Sequence, residues 1–241
     1  MSERLILEWL PDDPQAPFPS TANALPEPNG LLAAGGDLSP TRLLNAYRQG
    51  IFPWYSEGNP ILWWSPAPRC VLLPGEVHMS RRMRRRFNTG QYRLTLNTAF
   101  DEVVTACSRP RPGEPGTWIT TDKNRAYQLM HRLGHAHSLE VWVDQTMAGG
   151  IYGLLLGSVF FGESMFSNKT DGSKIALVAL CRLFEKTGVE LLDCQVANPH
   201  LFSMGAREVG RESFETDLHR LVDRPSEFAQ LPAGDLPEER W

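Results

Sequence analysis

The pattern of apolar and polar positions from 147 to 200 predicts a hairpin, a helix and a further strand. An uncharged run broken by glycines, 147–162, is typical of two strands joined by a turn. Apolar residues then recur at helical spacing over 173–186, and Gly188 ends that pattern. The segment 189–196 returns to the alternation of a short strand. We expect these elements to form one unit around which the rest of the chain is organised.

Two polar side chains interrupt the predicted strand 189–196. Asp193 and Gln195 lie two residues apart, and a side-chain period of two places both on the same face of a sheet. The residues that alternate with them are Leu192, Cys194 and Val196, which can pack on a core. A carboxylate beside an amide on one sheet face is the first candidate functional site.

Strand and helix patterns also alternate through the rest of the chain beyond residue 69. The predicted strands are 70–73, 92–97 and 138–143, and the predicted helices are 81–88, 99–108 and 121–133. A short helix and one more strand are expected after Pro199, before a tail rich in proline and acidic residues. Adjacent hairpins mixed with helices favour an α+β (mixed α/β) fold over a doubly wound dinucleotide fold.

Residues 1–68 have a different composition, dense in proline, glycine and tryptophan. Ser39 before Pro40 predicts the start of a helix that Gly50 ends. Aromatic runs broken by proline, 51–55 and 61–66, predict extended segments. The change near Pro68 predicts a small N-terminal domain, 1–68, followed by a larger domain, 69–241.

Charge is unevenly spread, although the net charge of the 241 residues is only −4. Seven arginines and one glutamate lie between Arg69 and Arg93, whereas both ends of the chain are acidic. Five of these arginines fall on one predicted helix: Arg81, Arg82, Arg84, Arg85 and Arg86. A solvated helix face is the plain alternative, but the lack of interleaved acids favours phosphate binding.

Several classes of protein are disfavoured by the sequence. Four widely spaced cysteines without a CxxC pair fit a reduced, cytosolic setting, and the charged N-terminus is not a signal peptide. Glycines make the uncharged segment 145–162 a poor membrane span. Three close histidines suggest a metal, but they lack a fourth ligand and cysteines at short spacing, so no metal site is expected: His131, His135 and His137.

Glu163 follows Gly162 at a predicted strand end and has apolar neighbours on both sides. It is either exposed or stands at the mouth of an apolar pocket, where it would select a cationic group. The polar loop 168–174 then opens a helix, and helix N-termini bind phosphates. The order of hairpin, loop, helix and strand resembles the core of N-acetyltransferase folds, but the loop lacks their pyrophosphate-binding turn.

Seven motifs are spread over most of the chain: PNGLLAAGGDLS at 28–39, GIFPWYS at 50–56, WWSP at 63–66, GTWIT at 116–120, GHAHS at 134–138, FGESMFS at 161–167 and DCQV at 193–196. Together they closely resemble the bacterial leucyl/phenylalanyl-tRNA–protein transferases. The resemblance implies a small N-terminal domain and an acetyltransferase-like C-terminal domain. It also implies transfer of Leu or Phe, less readily Met, from aminoacyl-tRNA to proteins with N-terminal Arg or Lys, which marks them for N-degron degradation.

The resemblance assigns roles to residues of this chain. Asp193 and Gln195 match the catalytic pair, and Glu163 matches an acidic residue near the acceptor. Trp54 and Trp118 match aromatics at the 3′-terminal adenosine, with Asn198 as a polar neighbour. The pocket for the transferred side chain would be lined by Met165, Leu177, Leu180, Phe184 and Leu192. The five arginines of 81–86 would hold the acceptor stem.

The resemblance further implies a cytoplasmic protein, expected to be a monomer, with no cofactor, metal or membrane contact. The role of Asp193 stays open between orienting Gln195 and acting as a general base. Two other classes stay open as well. An acetyl-CoA-dependent N-acetyltransferase would share the fold but needs the missing turn, and a non-catalytic RNA-binding protein would use the arginines alone.

Overall fold

The computed structural model describes residues 7–109 and 119–237, whose strands fall into two sheets. The smaller sheet has the order β1-β2-β4-β3. Its strands are β1 (Glu8–Leu10), β2 (Leu31–Gly35), β3 (Phe52–Pro53) and β4 (Leu62–Trp64). The helix of this region, α1 (Pro40–Tyr47), begins as predicted, with the Ser39 Oγ accepting a hydrogen bond from the Arg42 N–H at 3.3 Å. The two aromatic runs supply the paired strands β3 and β4.

The larger sheet has eight strands in the order β11-β5-β10-β9-β8-β7-β6-β12. They are β5 (Arg69–Leu72), β6 (Arg93–Leu96), β7 (Ala136–Val143), β8 (Thr146–Leu156), β9 (Val159–Ser167), β10 (Leu191–Gln195), β11 (Arg207–Val209) and β12 (Gly234–Asp235). Neighbouring strands are antiparallel except for β9 and β10, which are parallel and joined by the helix α5 (Gly172–Thr187). This mixed sheet confirms the predicted α+β class and the predicted order of hairpin, helix and strand.

The remaining helices are α2 (Arg81–Asn88), α3 (Phe100–Cys107), α4 (Thr121–Arg132), α6 (Pro199–Ser203) and α7 (Arg211–Leu221). Helix α2 has the predicted bounds, because the Ser80 Oγ accepts from the Met83 N–H at 3.2 Å. Helix α4 is capped by Thr120, whereas the sequence favours Thr121 or Asp122 as the cap. The sequence interpretation missed α7, although Phe214, Leu218 and Leu221 lie at helical spacing and are buried.

Two hydrophobic cores occupy the two faces of the larger sheet. Neighbouring strand residues alternate between them, since Leu191 belongs to one core and Leu192 to the other. The first core also contains Tyr47 and Trp63 from the smaller sheet region, so both sheets share it. The second core lies between the larger sheet and α5. The boundary between 1–68 and 69–241 follows the sheets but stays a prediction.

Helix α5 begins in direct contact with β8 at two glycines. A Cβ atom on Gly172 would lie 2.2 Å from the Ala148 carbonyl oxygen, and one on Gly149 would lie 2.4 Å from the Gly172 carbonyl carbon. No larger residue fits at either position, which fixes the start of α5 against the sheet. None of the helices in the described ranges has the length and apolar character needed to cross a membrane.

Candidate active site

The Asp193 carboxylate, in the middle of β10, is fully buried and held by Arg69 of the neighbouring strand β5. The Arg69 Nε donates to Asp193 Oδ1 at 2.8 Å, and its Nη2 donates to Oδ2 at 2.7 Å. The guanidinium also lies over the rings of Phe52 and Phe214, at 4.9 and 4.6 Å from their centroids. Because both partners are at most 1% exposed, removing either one would leave a charge buried without compensation.

Gln195 is held by Asp193 through the backbone. The Gln195 N–H donates to Asp193 Oδ1 at 2.9 Å, and Gln195 has a left-handed φ of 56°. The pairing of β10 with β5 shifts register between these two residues. The regular alternation assumed from the sequence therefore stops before Gln195, and the two residues are joined by a carboxylate–backbone hydrogen bond.

The side-chain amide of Gln195 has an unusual environment. It is buried, and its Nε2 atom has no hydrogen-bond partner among the described residues. Buried polar groups almost always have a partner, since an unpaired one costs about 1–3 kcal/mol. This amide is therefore a candidate for binding a ligand.

A second buried carboxylate, Glu163 on β9, lies in a network of tyrosines and one lysine. Glu163 Oε1 accepts a hydrogen bond from the Tyr47 hydroxyl of α1, and this hydroxyl lies 2.5 Å from that of Tyr127 on α4. The Lys123 Nζ, also on α4, lies 3.8 Å from Glu163 Oε2. The side chain of Glu163 is 4% exposed. The structure thus places it inside the protein with partners of its own.

Burial dominates the titration of this network. Burial raises the pKa of Glu163 above its ordinary value, and Lys123, Tyr47 and Tyr127 oppose that rise. Burial lowers the pKa of Lys123 to about 8, against the attraction of Glu163. The charged forms of Glu163 and Lys123 thus stabilise each other.

Two of the three residues predicted to contact the terminal adenosine lie in the described part of the chain. The Trp54 side chain, directly after β3, is 41% exposed, and its ring centroid is 5.5 Å from that of Trp64. Asn198 is exposed, and its Oδ1 caps α6 by accepting from the Leu201 N–H at 2.9 Å. Trp118 lies outside the described residues.

The residues predicted to line the pocket for the transferred side chain all belong to the core between the larger sheet and α5. Four of them are at most 1% exposed: Leu177, Leu180, Phe184 and Leu192. Met165 is half-buried and packs on the same core. They form one apolar cluster that is closed, so side chains in it have to move to admit a Leu or Phe side chain.

All five arginines of α2 are exposed, while Met83 and Phe87 anchor the helix in the core. Arg81, Arg84 and Arg85 line a cleft of about 460 Å³ together with Met79 and Asn88. Arg86 faces a separate cleft of about 870 Å³ and pairs with Asp171 at 3.4 Å. In the described part of the chain, no ion pair involves the other four arginines, so their charge is available to a partner.

Two family models match the chain. The model of the leucyl/phenylalanyl-tRNA protein transferase matches residues 71–219, and that of the N-terminal domain of the same transferase matches residues 36–67. This chain belongs to the leucyl/phenylalanyl-tRNA–protein transferase family. The family identification agrees with the resemblance seen in the motifs.

Similar proteins that carry the name leucyl/phenylalanyl-tRNA–protein transferase come from several bacteria. The protein of Stutzerimonas stutzeri is 52% identical over 92% of this chain and 97% of its own length. The protein of Salmonella arizonae is 56% identical over 86% of this chain and 88% of its own. For Xanthomonas axonopodis pv. citri the identity is 49% over 96% of both. These matches extend the family assignment over nearly the whole chain.

Solved structures are similar only at a low level. A GCN5-related N-acetyltransferase from Kribbella flavida shares 8% identity, with a TM-score of 0.37 over 71% of this chain and 61% of that one. The L-PGS structure from Bacillus licheniformis shares 13% identity, with a TM-score of 0.40 over 80% and 65%. Likeness of this degree carries no argument, and the acetyltransferase-like fold of residues 69–241 stays a prediction from the order of the elements.

Sequence reasoning missed the partners of both carboxylates. In the sequence Arg69 stands out only as part of a basic region, and no role is predicted for Lys123, Tyr47 or Tyr127. Lys123 lies in a polar stretch, TDKNR at 121–125, that is typical of an exposed helix start. A detectable signal was Tyr127, which falls four residues after Lys123 on one face of α4.

The three close histidines have structural contacts in this family member. The ring of His131 stacks on Phe100 with centroids 4.1 Å apart, and its Nδ1 lies 2.7 Å from the Ala136 carbonyl oxygen. His137 is buried, its Nδ1 lies 3.0 Å from Asn97 Nδ2, and burial lowers its pKa to about 4. Among the described residues, no group of three or more potential ligands is arranged to hold a metal.

Proposed function

We propose that this protein transfers Leu or Phe, and less readily Met, from aminoacyl-tRNA to the N-terminal amine of proteins that begin with Arg or Lys. Family membership supports the reaction type. The observation that carries the proposal is the buried Gln195 side chain, whose Nε2 has no hydrogen-bond partner among the described residues and whose backbone N–H is held by the Asp193–Arg69 pair. The proposal includes a cytoplasmic, monomeric protein that marks its substrates for N-degron degradation, as the resemblance implies.

The reaction converts an ester into an amide. The acceptor amine attacks the ester carbonyl carbon, a C–N bond forms, and the C–O bond to the tRNA ribose breaks, with the ribose oxygen leaving as a hydroxyl. An N-terminal amine has a pKa of about 7.7–8.0, so about a tenth of it is neutral near pH 7. A strong base is therefore not needed, and positioning the amine against the ester supplies much of the rate enhancement.

In this proposal Gln195 contacts the reacting groups. Its Oε1 accepts a hydrogen bond from the attacking amine, and its Nε2 donates to the oxygen that becomes negative in the tetrahedral intermediate. Asp193 orients Gln195 and does not act as the base. This assignment is supported by its three donors, two from Arg69 and one from the Gln195 N–H, which occupy both carboxylate oxygens.

The substrates are assigned to the surroundings of this pair. The apolar cluster of Met165, Leu177, Leu180, Phe184 and Leu192 would take the transferred side chain. Tolerance of Leu, Phe and Met is reasonable, since an apolar pocket separates side chains that differ by one methylene only about 10–200-fold. Trp54, Trp118 and Asn198 would bind the terminal adenosine. Glu163 would face the cationic acceptor, and the arginines of α2 would bind the acceptor stem.

The proposed function is tested by incubating the protein with Phe-tRNA and a peptide that begins with Arg. Mass spectrometry is expected to detect addition of one Phe, lost after RNase treatment and absent from a matched peptide that begins with Ala. Addition with acetyl-CoA alone would identify an N-acetyltransferase instead. Binding of tRNA without product would identify an RNA-binding protein. Gln195→Ala is expected to abolish turnover while tRNA binding persists.

The role of the arginine helix has its own test. An Arg81/Arg85→Ala variant is expected to bind tRNA more weakly and to reduce the slope of log K against log salt by roughly one unit for each phosphate that is no longer neutralised. The matched control is Arg125/Arg132→Ala, which removes two exposed charges from α4. An unchanged slope in the Arg81/Arg85 variant would assign tRNA binding to another surface.

A further inference from the structure

Lys123 is a buried charged residue that the proposed reaction does not use. It is fully buried on α4, and its Nζ donates to the Pro53 carbonyl oxygen of β3 at 2.9 Å. The same atom lies 3.8 Å from Glu163 Oε2 and 5.5 Å from the Tyr127 ring centroid. Pro53 immediately precedes Trp54. Lys123 therefore connects the strand before Trp54 with the carboxylate on β9.

Burying a lysine is unfavourable unless its positive charge is paired with a negative group. An apolar side chain of similar length would fill the same volume without the cost of desolvating an ammonium group. The hydrogen bond to Pro53 satisfies one of the three Lys123 donors. Its position beside Glu163 indicates that the lysine serves this carboxylate.

The groups that act on Glu163 come from four elements. The Tyr47 hydroxyl of α1 donates a hydrogen bond to it and lies beside the Tyr127 hydroxyl of α4, whereas Asp193 of β10 repels its negative charge. Tyr152 of β8 is also buried nearby, and burial and the negative charge of Glu163 both raise the pKa of its hydroxyl. Among these groups Lys123 supplies the positive charge. Without that charge, a fully buried carboxylate close to Asp193 would be driven towards its neutral form.

We propose that Lys123 is a positioning residue that supplies the counter-charge of Glu163 and fixes this carboxylate relative to the Trp54 strand. The inference rests on the proposed function, because it gives the anionic form of Glu163 a part in holding the cationic acceptor. Lys123 itself touches neither substrate. It acts through the charge and the position of Glu163.

This role predicts a particular pH dependence. In Lys123→Met, the pKa of Glu163 rises further, so the anionic form is less populated near neutral pH and recovers as the pH increases. Below that pKa, transfer to an Arg peptide falls about tenfold per pH unit. Since burial lowers the pKa of Lys123 to about 8, the wild-type lysine is itself neutral at higher pH. The profiles of the two proteins are therefore expected to converge above that pH.

The test measures kcat and KM for Phe transfer from about pH 6 to pH 9, with tRNA binding measured alongside. Lys123→Met is expected to lose at least about tenfold in kcat/KM near neutral pH and to recover in alkali, with unchanged tRNA affinity. Lys123→Arg keeps the positive charge, so it should restore part of the activity that Lys123→Met loses at the acidic side of the pH profile. The matched control is Lys186→Met, which removes an exposed lysine of α5 and should leave the profile unchanged. A uniform loss at every pH would overturn the proposal, because it would indicate packing alone.

A second readout does not depend on activity. In Lys123→Met at neutral pH, infrared difference spectroscopy is expected to show the carbonyl stretch of a protonated carboxylic acid that is lacking in the wild type. The band should vanish in Lys123→Met/Glu163→Gln, and its absence from the single variant would overturn the proposal. If Lys123→Met does not fold, both measurements are repeated with Lys123→Gln, which keeps a hydrogen-bond donor for the Pro53 carbonyl oxygen. If the wild type transfers no amino acid, the proposed function fails, while the infrared band still tests the charge link.

Discussion

Asp193 and Glu163 are both buried carboxylates, but their partners differ in kind. Asp193 receives three N–H donors at 2.7 to 2.9 Å, two of them from a guanidinium in direct contact. Glu163 receives the Tyr47 hydroxyl, and its cation, Lys123, lies 3.8 Å away. The negative charge of Asp193 is therefore fully compensated by its partners, and that of Glu163 is compensated only in part.

The difference shows how two acidic side chains of one site can be given separate tasks. A carboxylate saturated by a bidentate arginine is a fixed anchor, since both of its oxygens are occupied. A carboxylate with hydroxyl partners and a distant lysine keeps a raised pKa and responds to its neighbours. We therefore expect Asp193 to govern geometry and stability, and Glu163 to govern activity and its pH dependence.

The largest effect is expected from breaking the Asp193–Arg69 pair. Arg69→Met leaves a buried carboxylate without its counter-charge, which should lower the free energy of unfolding by about 3–5 kcal/mol. Urea denaturation at neutral pH measures this loss. In the double variant Arg69→Met/Asp193→Leu most of the stability should return, while Phe transfer stays absent because Gln195 has lost its anchor. Equal instability of the single and double variants would contradict the anchor assignment.

Asp193→Asn tests the same anchor through its chemistry. The variant should transfer Phe much more slowly than the wild type, because the Arg69 contact and the hold on the Gln195 N–H are weakened. The shape of its pH–rate profile is expected to stay unchanged. If a limb of the profile disappears with Asp193, the residue is a general base and its fixed role is refuted.

Glu163→Gln should have a smaller effect, and mainly on activity. The change keeps the volume and removes the charge, so kcat/KM for an Arg peptide should fall about 10–100-fold, as for the loss of a hydrogen bond to a charged group worth about 1.5–3 kcal/mol. The free energy of unfolding should change much less than in Arg69→Met, because Lys123 can lose its proton. The control is Glu185→Gln on the exposed face of α5. Comparable losses of stability at both carboxylates would remove the contrast.

A pH effect on stability has to be separated from the Glu163 effect on activity. The pKa of His137 is lowered from 6.5 to about 4 by burial. The unfolded chain therefore binds an extra proton between these pH values, and stability falls as the pH drops below 6.5, by up to about 3 kcal/mol. His137→Gln should flatten the urea midpoint over this window. An equally steep decline in the variant would assign acid lability to other groups.

The smallest effect is expected in the apolar cluster, which neither carboxylate enters. Leu180→Met conserves volume and should cost less than about 1.5 kcal/mol in stability. It is expected to change the preference between Leu-tRNA and Phe-tRNA by less than about tenfold, measured in competition. The matched control, Leu155→Met, lies in the same core but outside the proposed pocket. An equal shift in both variants would argue against Leu180 as a pocket residue.

The elements of the fold were predictable where local signals were strong. Ser80 and the residues after it gave the bounds of α2, and the glycine-rich run gave the hairpin of β8 and β9. Helix α7 was missed because most of its positions are charged or polar, which left only three buried apolar residues as a signal. Capping residues and glycine-rich runs therefore specify elements locally. The position of a mostly polar helix such as α7 depends instead on the surface against which it packs.

The candidate site was only half predictable, for a different reason. Asp193, Gln195 and Glu163 stand out because polar residues interrupt apolar strands. Their partners do not stand out, since Arg69 is 124 residues from Asp193 and Tyr47 is 116 from Glu163. The first contact is created by the pairing of β5 with β10 within the larger sheet, and the second by the packing of α1 in the core that both sheets share. The left-handed backbone of Gln195 likewise arises from the irregular pairing of β10 with β5.

The conformation and burial of Gln195 lower the stability of the folded protein. A non-glycine residue in the left-handed region costs about 1–2 kcal/mol, and an unpaired buried amide adds to that cost. Glycine at this position would relieve both, so a screen for heat resistance alone would favour Gln195→Gly. Stability selection would thus remove the group proposed to hold the reacting amine. The protein thus carries a local destabilisation for which the proposed catalytic role of Gln195 accounts.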